Sequence, residues 1–288
     1  MKRTMVEIPS ELRKMIDVEE EVDSRLVTFA KKKGRIMLAM IASYVPKKVS
    51  PSEEEFAHLG ISEEFGVETV LSQIFESTAE KRLPLFLLLN STGGTVFSSY
   101  KTAKAIRESF DDITVFVPHV ALSGGTLVAL AGNKVVMGRM SHLSPLDVQI
   151  GYKDTYVSAN AFFRTHGRLE DYFKDKAVES TPYPYKALAD KLNGVVMEEI
   201  AGEQSTGCKY VEEILKKSGY KNAKKLARKL VYDLPSHSLV IGYDLAKKLG
   251  LKVVPYSEDP ETWQMMRYWL ASYVLKATNK HFIRYIIP

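Results

Sequence analysis

The residues most able to do chemistry surround one hydroxyl. In HVALSGGTLVAL, residues 119–130, a β-rich run ends, Ser123 stands among small residues, Gly124 and Gly125 follow, and an apolar helical pattern begins. A serine hydroxyl is a poor nucleophile alone. It needs a base in hydrogen-bond reach and donors for the charge that develops on the attacked carbonyl oxygen. A helix start supplies donors, because its first N–H groups lack intrahelical partners and its dipole favours negative charge. Glycine lets a carbonyl approach that backbone without meeting a Cβ. Gly124 offers one such N–H. The second must come from another element, and Gly93-Gly94 in NSTGGT, residues 90–95, is the obvious source. The bland alternative is that Ser123 only caps a helix and the glycines only make turns.

What favours chemistry is the placement of both corners. LPLFLLLN (83–90) is a continuous apolar run, the mark of a strand covered on both faces. STGGT breaks it, and 96–110 has helical spacing with Tyr100, Ala103 and Ile106 on one side. ITVFVP (113–118) is β-branched and aromatic. SGGTLVALAG starts a helix that Gly132 stops, and KVVMG (134–138) is a further strand. Strand, helix, strand, helix, strand at this spacing predicts right-handed parallel crossovers, with ligand chemistry at the carboxyl ends of the strands. The two glycine corners would then open on one crevice. Upstream, 1–33 and FGVETVLSQIFES are expected as helices, RIMLAMIASYV as a buried strand, with a helix as the alternative, and PKKVSPSEEE as a loop. Downstream, helices are expected over about 156–176, 184–203, 209–218 and 221–231. A helix and short strand follow over 242–255, then a tryptophan-containing helix in ETWQMMRYWLASYVL.

The partners of the serine are less legible. Asp147 follows Pro145 in a loop, and His237 follows Pro235 in a polar loop, where an isolated aspartate or histidine is as readily a turn or cap residue. His142, flanked by serines, is the rival base. His119 is expected to pack or bond locally and His58 to be solvated; His166 and His281 have no supporting motif. A lysine base would come from Lys153, Lys174 or Lys176, and would need burial to lose its proton near neutral pH. No pair of ligands has metal spacing, so no metal and no cofactor are expected. There is no G-x-x-x-x-G-K-[ST] loop for ATP and no G-x-S-x-G elbow of the α/β-hydrolases.

Composition sets the outer limits. The 288 residues are 45% hydrophobic and 26% charged, enough for a sizeable core. The net charge of +5 comes from lysine, concentrated in 31–33 and 216–229. The second group lies in a helical pattern with Leu215, Leu226 and Leu230, so it reads as a solvated helix face, and nucleic acid is not the expected partner. Cys208 is the single cysteine, which excludes an internal disulfide. The charged start and the shortness of the apolar runs predict no signal peptide and no transmembrane segment, hence a cytoplasmic chain.

Together, NSTGGT, VPHVALSGGTLVALAGNKVVMG, LSPLDVQIG and LPSHSLVIGYDLAKKLGLKV resemble the serine dehydrogenase proteinase family, relatives of the Clp-type proteases and signal peptide peptidase A. The resemblance spans about 35–256. It departs at three points: Asn90-Ser91-Thr92 where the family favours His-Thr-Pro, Asp147-Val148-Gln149 for Asp-Pro-Gln, and Ser238-Leu239-Val240 for Asp-Tyr-Pro. It implies an α/β fold, a Clp-protease/crotonase-like spiral of ββα units with extra C-terminal helices. Three parts would follow: an N-terminal helical segment 1–34, a catalytic domain 35–256 and a C-terminal helical extension 257–288. It implies a serine peptidase, ATP-independent as a single chain, with nucleophile Ser123, acid Asp147 and base His237, and with Gly94 and Gly124 as oxyanion-hole donors. Peptide or unfolded protein would be the substrate, and the working form a homo-oligomer. The alternatives are a Ser-Lys dyad of the signal peptide peptidase type, a crotonase-type acyl-CoA enzyme, and a catalytically degenerate assembly module.

Overall fold

The computed structural model describes residues 20–44, 58–78, 84–152, 155–174, 186–187, 193–276 and 282–287. Helix α1 (Glu20–Lys32) leads into β1 (Ile36–Tyr44), and α2 (Ile61–Thr78) precedes β2 (Leu85–Ser91). Then come α3 (Val96–Ser109), β3 (Ile113–Val117), β4 (Val120–Ala121), α4 (Gly124–Leu130), β5 (Lys134–Met137) and β6 (His142–Leu143). A hairpin, β7 (Gln149–Tyr152) and β8 (Thr155–Ser158), joins α5 (Ala159–Phe173). The rest runs α6 (Gly194–Lys217), α7 (Ala223–Arg228), a π-helical turn (Lys229–Asp233), α8 (Tyr243–Leu249), β9 (Val253–Pro255), α9 (Pro260–Lys276) and β10 (Phe282–Ile287).

The main sheet runs β10-β1-β2-β3-β5-β9, parallel except for the antiparallel outer strand β10. Its strands are apolar throughout because both faces are covered. Side chains of successive residues point to opposite faces, so parity sorts them. Leu38, Met40 and Ala42 of β1 and Leu85, Leu87 and Leu89 of β2 enter one core, against α2, α3, α4 and α6. Met37, Ala39 and Ile41, with Phe86 and Leu88, enter the other, under Leu26 and Ala30 of α1 and Trp263, Met266 and Trp269 of α9. Each such side chain fully buried contributes about 1.5–3 kcal/mol. The helices α1 and α9, far apart in sequence, thus meet on one face of the sheet.

At the carboxyl end of β2 the sheet curls. Ser91 pairs with Ala121 of β4, and β4 pairs in turn with β6. This small second layer carries the corner at Ser123.

Four expectations change. The helix predicted from 156 begins at Ala159, because Thr155–Ser158 pairs back on Gln149–Tyr152 as a hairpin. The helices predicted over 184–203 and 209–218 are one, Gly194–Lys217; its interior Gly207 packs where a Cβ would lie 3.5 Å from Val96. The helix predicted over 221–231 ends at Arg228 and widens into the π turn. The C-terminal extension, expected to be helical, finishes as strand β10, which pairs with β1 over six residues. The helical reading of the first 19 residues and the loop at 46–55 lie outside the described residues.

Candidate active site

Ser123 occupies a bend that its residue type disfavours. Gly125 N–H donates to Leu122 O at 2.7 Å, closing a four-residue turn with Ser123 at its first central position. There φ is 47° and ψ −118°, the geometry of a type II′ turn, where glycine is the expected residue. Ser123 is the one non-glycine residue with positive φ among the described residues. Holding it so costs about 1–3 kcal/mol. The hydroxyl does not cap α4, although Ser123 sits at the N-cap position, so helix capping does not explain it. Neighbouring hydroxyls hold the bend. Ser123 N–H donates to Ser144 Oγ at 2.6 Å, Ser144 N–H to Thr126 Oγ1 at 3.0 Å, and Thr126 Oγ1 to Ala121 O at 2.7 Å.

The first glycine corner lies directly against this bend. A Cβ on Gly93 (φ 106°) would stand 2.9 Å from Ser123 Cβ. A Cβ on Gly124 would stand 3.3 Å from Gly94 N and 1.9 Å from Ser99 Oγ. Leu59 clamps the corner from outside: its N–H donates to Gly93 O at 2.7 Å, and its carbonyl accepts from Thr95 N–H at 3.1 Å. In this parallel bridge the N–H of Gly94 points away from Leu59. The accounting of amides is selective. Gly93 N–H is spent on Ser91 Oγ, Thr95 N–H on Leu59 O, Ser123 N–H on Ser144 Oγ and Gly125 N–H on Leu122 O. Among the described residues, the N–H groups of Gly94 and Gly124 donate to nothing. Two free amides beside a serine hydroxyl can take up negative charge on an oxygen.

The acid and base of the sequence analysis come together across 90 residues of chain. His237 Nδ1 lies 2.8 Å from Asp147 Oδ1. Asp147 is 4% exposed, and an ionised carboxylate only accepts, so Nδ1 carries the proton and Nε2 is left as the basic nitrogen. The other carboxylate oxygen, Oδ2, accepts from Ser158 Oγ at 2.5 Å and Gln149 Nε2 at 3.2 Å. The backbone brings the pair to the serine's layer. Leu143 and Ile241 exchange both N–H···O bonds, at 3.0 and 2.9 Å, so the segment after His237 runs beside β6, whose chain continues through Ser144 to Asp147. No hydrogen bond joins Ser123 Oγ to His237, whose ring is bonded to Asp147.

The rivals are placed elsewhere. His142 pairs with Val120 in the β4–β6 ladder, and its ring meets His119 edge-on at 6.4 Å. Burial, then the neighbouring His119, pulls its pKa below the ordinary histidine value. His166 faces Glu170 along α5 at 3.6 Å. His58, expected to be solvated, is half-buried with Nδ1 3.4 Å from Thr92 Oγ1, because Leu59 draws it onto the glycine corner. Lys174 ends α5 exposed; Lys153, Lys176 and His281 lie outside the described residues. Among the described residues no cluster of three or more His, Cys, Asp or Glu could hold a metal ion. No helix there is long and apolar enough to cross a membrane.

The sequence analysis missed Ser144, Thr126 and Ser158. Hydroxyls in loops and at helix starts are common, and only the fold shows which of them face the bend or the acid.

A serine on a strained bend, free amides beside it and a buried carboxylate–imidazole pair are the kinds of group that hydrolases with a hydroxyl nucleophile use. Within that class, the chain belongs to the family of ClpP-like SDH-type serine proteinases, whose sequence profile matches residues 4–286. The α/β fold is accordingly Clp-protease-like. Two uncharacterised proteins of Methanocaldococcus jannaschii are similar. MJ0137 is 33% identical over 61% of this chain and 55% of its own length, and MJ1495 is 29% identical over 59% and 52%. The chain thus spans about half the length of the curated relatives it matches. Among solved structures, a serine-to-alanine mutant of the 1510-N membrane-bound stomatin-specific protease aligns with a TM-score of 0.46 at 14% identity, over 72% of this chain and 79% of that one. A lysine-to-alanine mutant of the same protease with a substrate peptide gives 0.44 at 15%, over 68% and 70%.

Proposed function

We propose that the chain hydrolyses peptide bonds with Ser123 as nucleophile, His237 as general base and Asp147 as the group that orients and stabilises the imidazole. The observation that carries this reading is the 2.8 Å contact between His237 Nδ1 and the buried Asp147 carboxylate. Such a contact fixes one tautomer and turns Nε2 into a proton acceptor. In the acylation step Nε2 takes the Ser123 proton as Oγ attacks the scissile carbonyl. The carbonyl oxygen becomes negative and is received by the N–H groups of Gly94 and Gly124. The imidazolium, stabilised by Asp147, then protonates the leaving amine. Water repeats the sequence on the acyl-enzyme and frees Ser123. Each amide donor to the oxyanion contributes about 3–4 kcal/mol in hydrolases of this kind.

The family supports a peptide substrate, and the two unspent N–H groups of Gly94 and Gly124 support the binding of a peptide carbonyl beside Ser123. A fluorophosphonate probe labels Ser123 in the wild type and leaves Ser123→Ala unmodified. The wild type cleaves an unstructured protein; Ser123→Ala does not, with turnover reduced at least about a thousandfold. A wild type that is neither labelled nor active would replace this reading with that of a degenerate assembly module.

A further inference from the structure

Ser158 has the backbone of a helix N-cap, φ −67° and ψ 131°, but its side chain caps nothing. A serine at this position ordinarily accepts a hydrogen bond from an N–H of its own helix. Here the hydroxyl donates instead to Asp147 Oδ2 at 2.5 Å, on the side of the carboxylate opposite His237. With Gln149 Nε2 on the same oxygen, this fixes the carboxylate plane so that Oδ1 faces the imidazole. The next residue adds a backbone tie, Ala159 N–H to Val148 O at 2.9 Å.

The same helix also ties down the segment that leads to the base. Asn160 Nδ2 donates to Val231 O at 2.7 Å inside the π turn, and Gln204 Nε2 of α6 steadies that amide through its Oδ1 at 2.6 Å. Asn160 and Gln204 are 7% and 2% exposed, so these bonds are shielded from water. One turn further on, Arg164 Nη2 donates to Pro235 O at 3.3 Å, two residues before His237. Acid and base come from loops 90 residues apart, and the N-cap and first turns of α5 bond to the acid and to the backbone that leads to the base.

We propose that Ser158 is a positioning residue for the Asp147–His237 pair, and that the first turns of α5 set the distance and angle between the two groups. The proposal rests on the peptidase reading for its kinetic consequence but not for its structural one. Ser158→Gly tests it, because glycine is tolerated at an N-cap and the change removes the hydroxymethyl group that reaches Asp147; Ser158→Thr restores a hydroxyl. Two readouts are taken on the full chain: the ring signals of His237 in ¹⁵N-histidine-labelled protein, identified by their absence in His237→Gln, and peptide hydrolysis. In the wild type the Nδ1–H signal is shifted downfield by the carboxylate. In Ser158→Gly it weakens or moves upfield, kcat falls about tenfold to a hundredfold and KM stays within about twofold, as for a misplaced group that does not touch substrate. Ser158→Thr keeps signal and rate. Unchanged signals in Ser158→Gly, equal damage in the glycine and threonine variants, or no downfield Nδ1–H in the wild type would overturn the proposal. A signal that responds as described in a protein without peptidase activity would uphold the positioning role and sink the peptidase reading instead.

Discussion

At the scale of single residues, Ser123 is where conformation and chemistry oppose each other. Its φ of 47° is a glycine geometry, and no capping bond compensates for the strain. Ser123→Gly should therefore raise the unfolding free energy by about 1 kcal/mol or more, read from urea midpoints, while abolishing hydrolysis. An equal or lower midpoint would mean that the bend is not strained. This residue was legible in the sequence because its signal is local: a serine and two glycines between a strand pattern and a helix pattern. Asp147 and His237 were not legible in that way. Each looks like an ordinary loop residue, and their contact spans 90 positions, so only the family resemblance singled them out before the fold brought them together. Ser158 did not stand out in the sequence, where hydroxyls near helix starts are common, and only the structure shows its side chain turned from its own backbone to a carboxylate.

At the scale of elements, the glycine corners are defined by what surrounds them. A Cβ on Gly94 would stand 2.1 Å from Leu59 O and 2.5 Å from Leu59 N, and backbone in a hydrogen-bonded bridge cannot yield. Gly94→Ala should cost about 3 kcal/mol and also impair turnover, since the corner must open where its free N–H is needed. Gly202, exposed inside α6 with nothing within 4 Å of a Cβ, gives the opposite sign for the same change. Gly202→Ala should stabilise by about 1 kcal/mol and leave hydrolysis untouched. Thermal unfolding and a peptide assay on both variants check the pair. Element order was readable from hydrophobic periodicity through β5, where buried strands and amphipathic helices alternate cleanly. Beyond it the pattern slipped at the β7–β8 hairpin, which is short, and in α6, whose glycines divide one helix into two in the sequence, whereas the helix and strand over 242–255 and the tryptophan-containing helix were legible.

At the scale of the whole molecule, stability should fall at high pH in a way traceable to one phenol. Burial pushes Tyr220 up to about 12 from an ordinary 10.0, and the Lys252 N–H donated to its oxygen only partly opposes this. The folded chain therefore holds that proton more tightly than the unfolded one. The contribution is complete below about pH 10 and is lost as pH rises toward 12, amounting to about 2–3 kcal/mol. Urea midpoints at about pH 9 and pH 11.5 should drop further for the wild type than for Tyr220→Phe, which has no phenol to ionise; parallel drops would contradict the assignment.

The outermost strand has a consequence for how the protein is made. β1 leaves the ribosome almost 240 residues before the segment that covers its free side, 282–287. Over that interval the nascent sheet keeps an open border, the kind of border that recruits other chains. Biogenesis, more than the finished fold, is then the stage at which a chaperone would be called on.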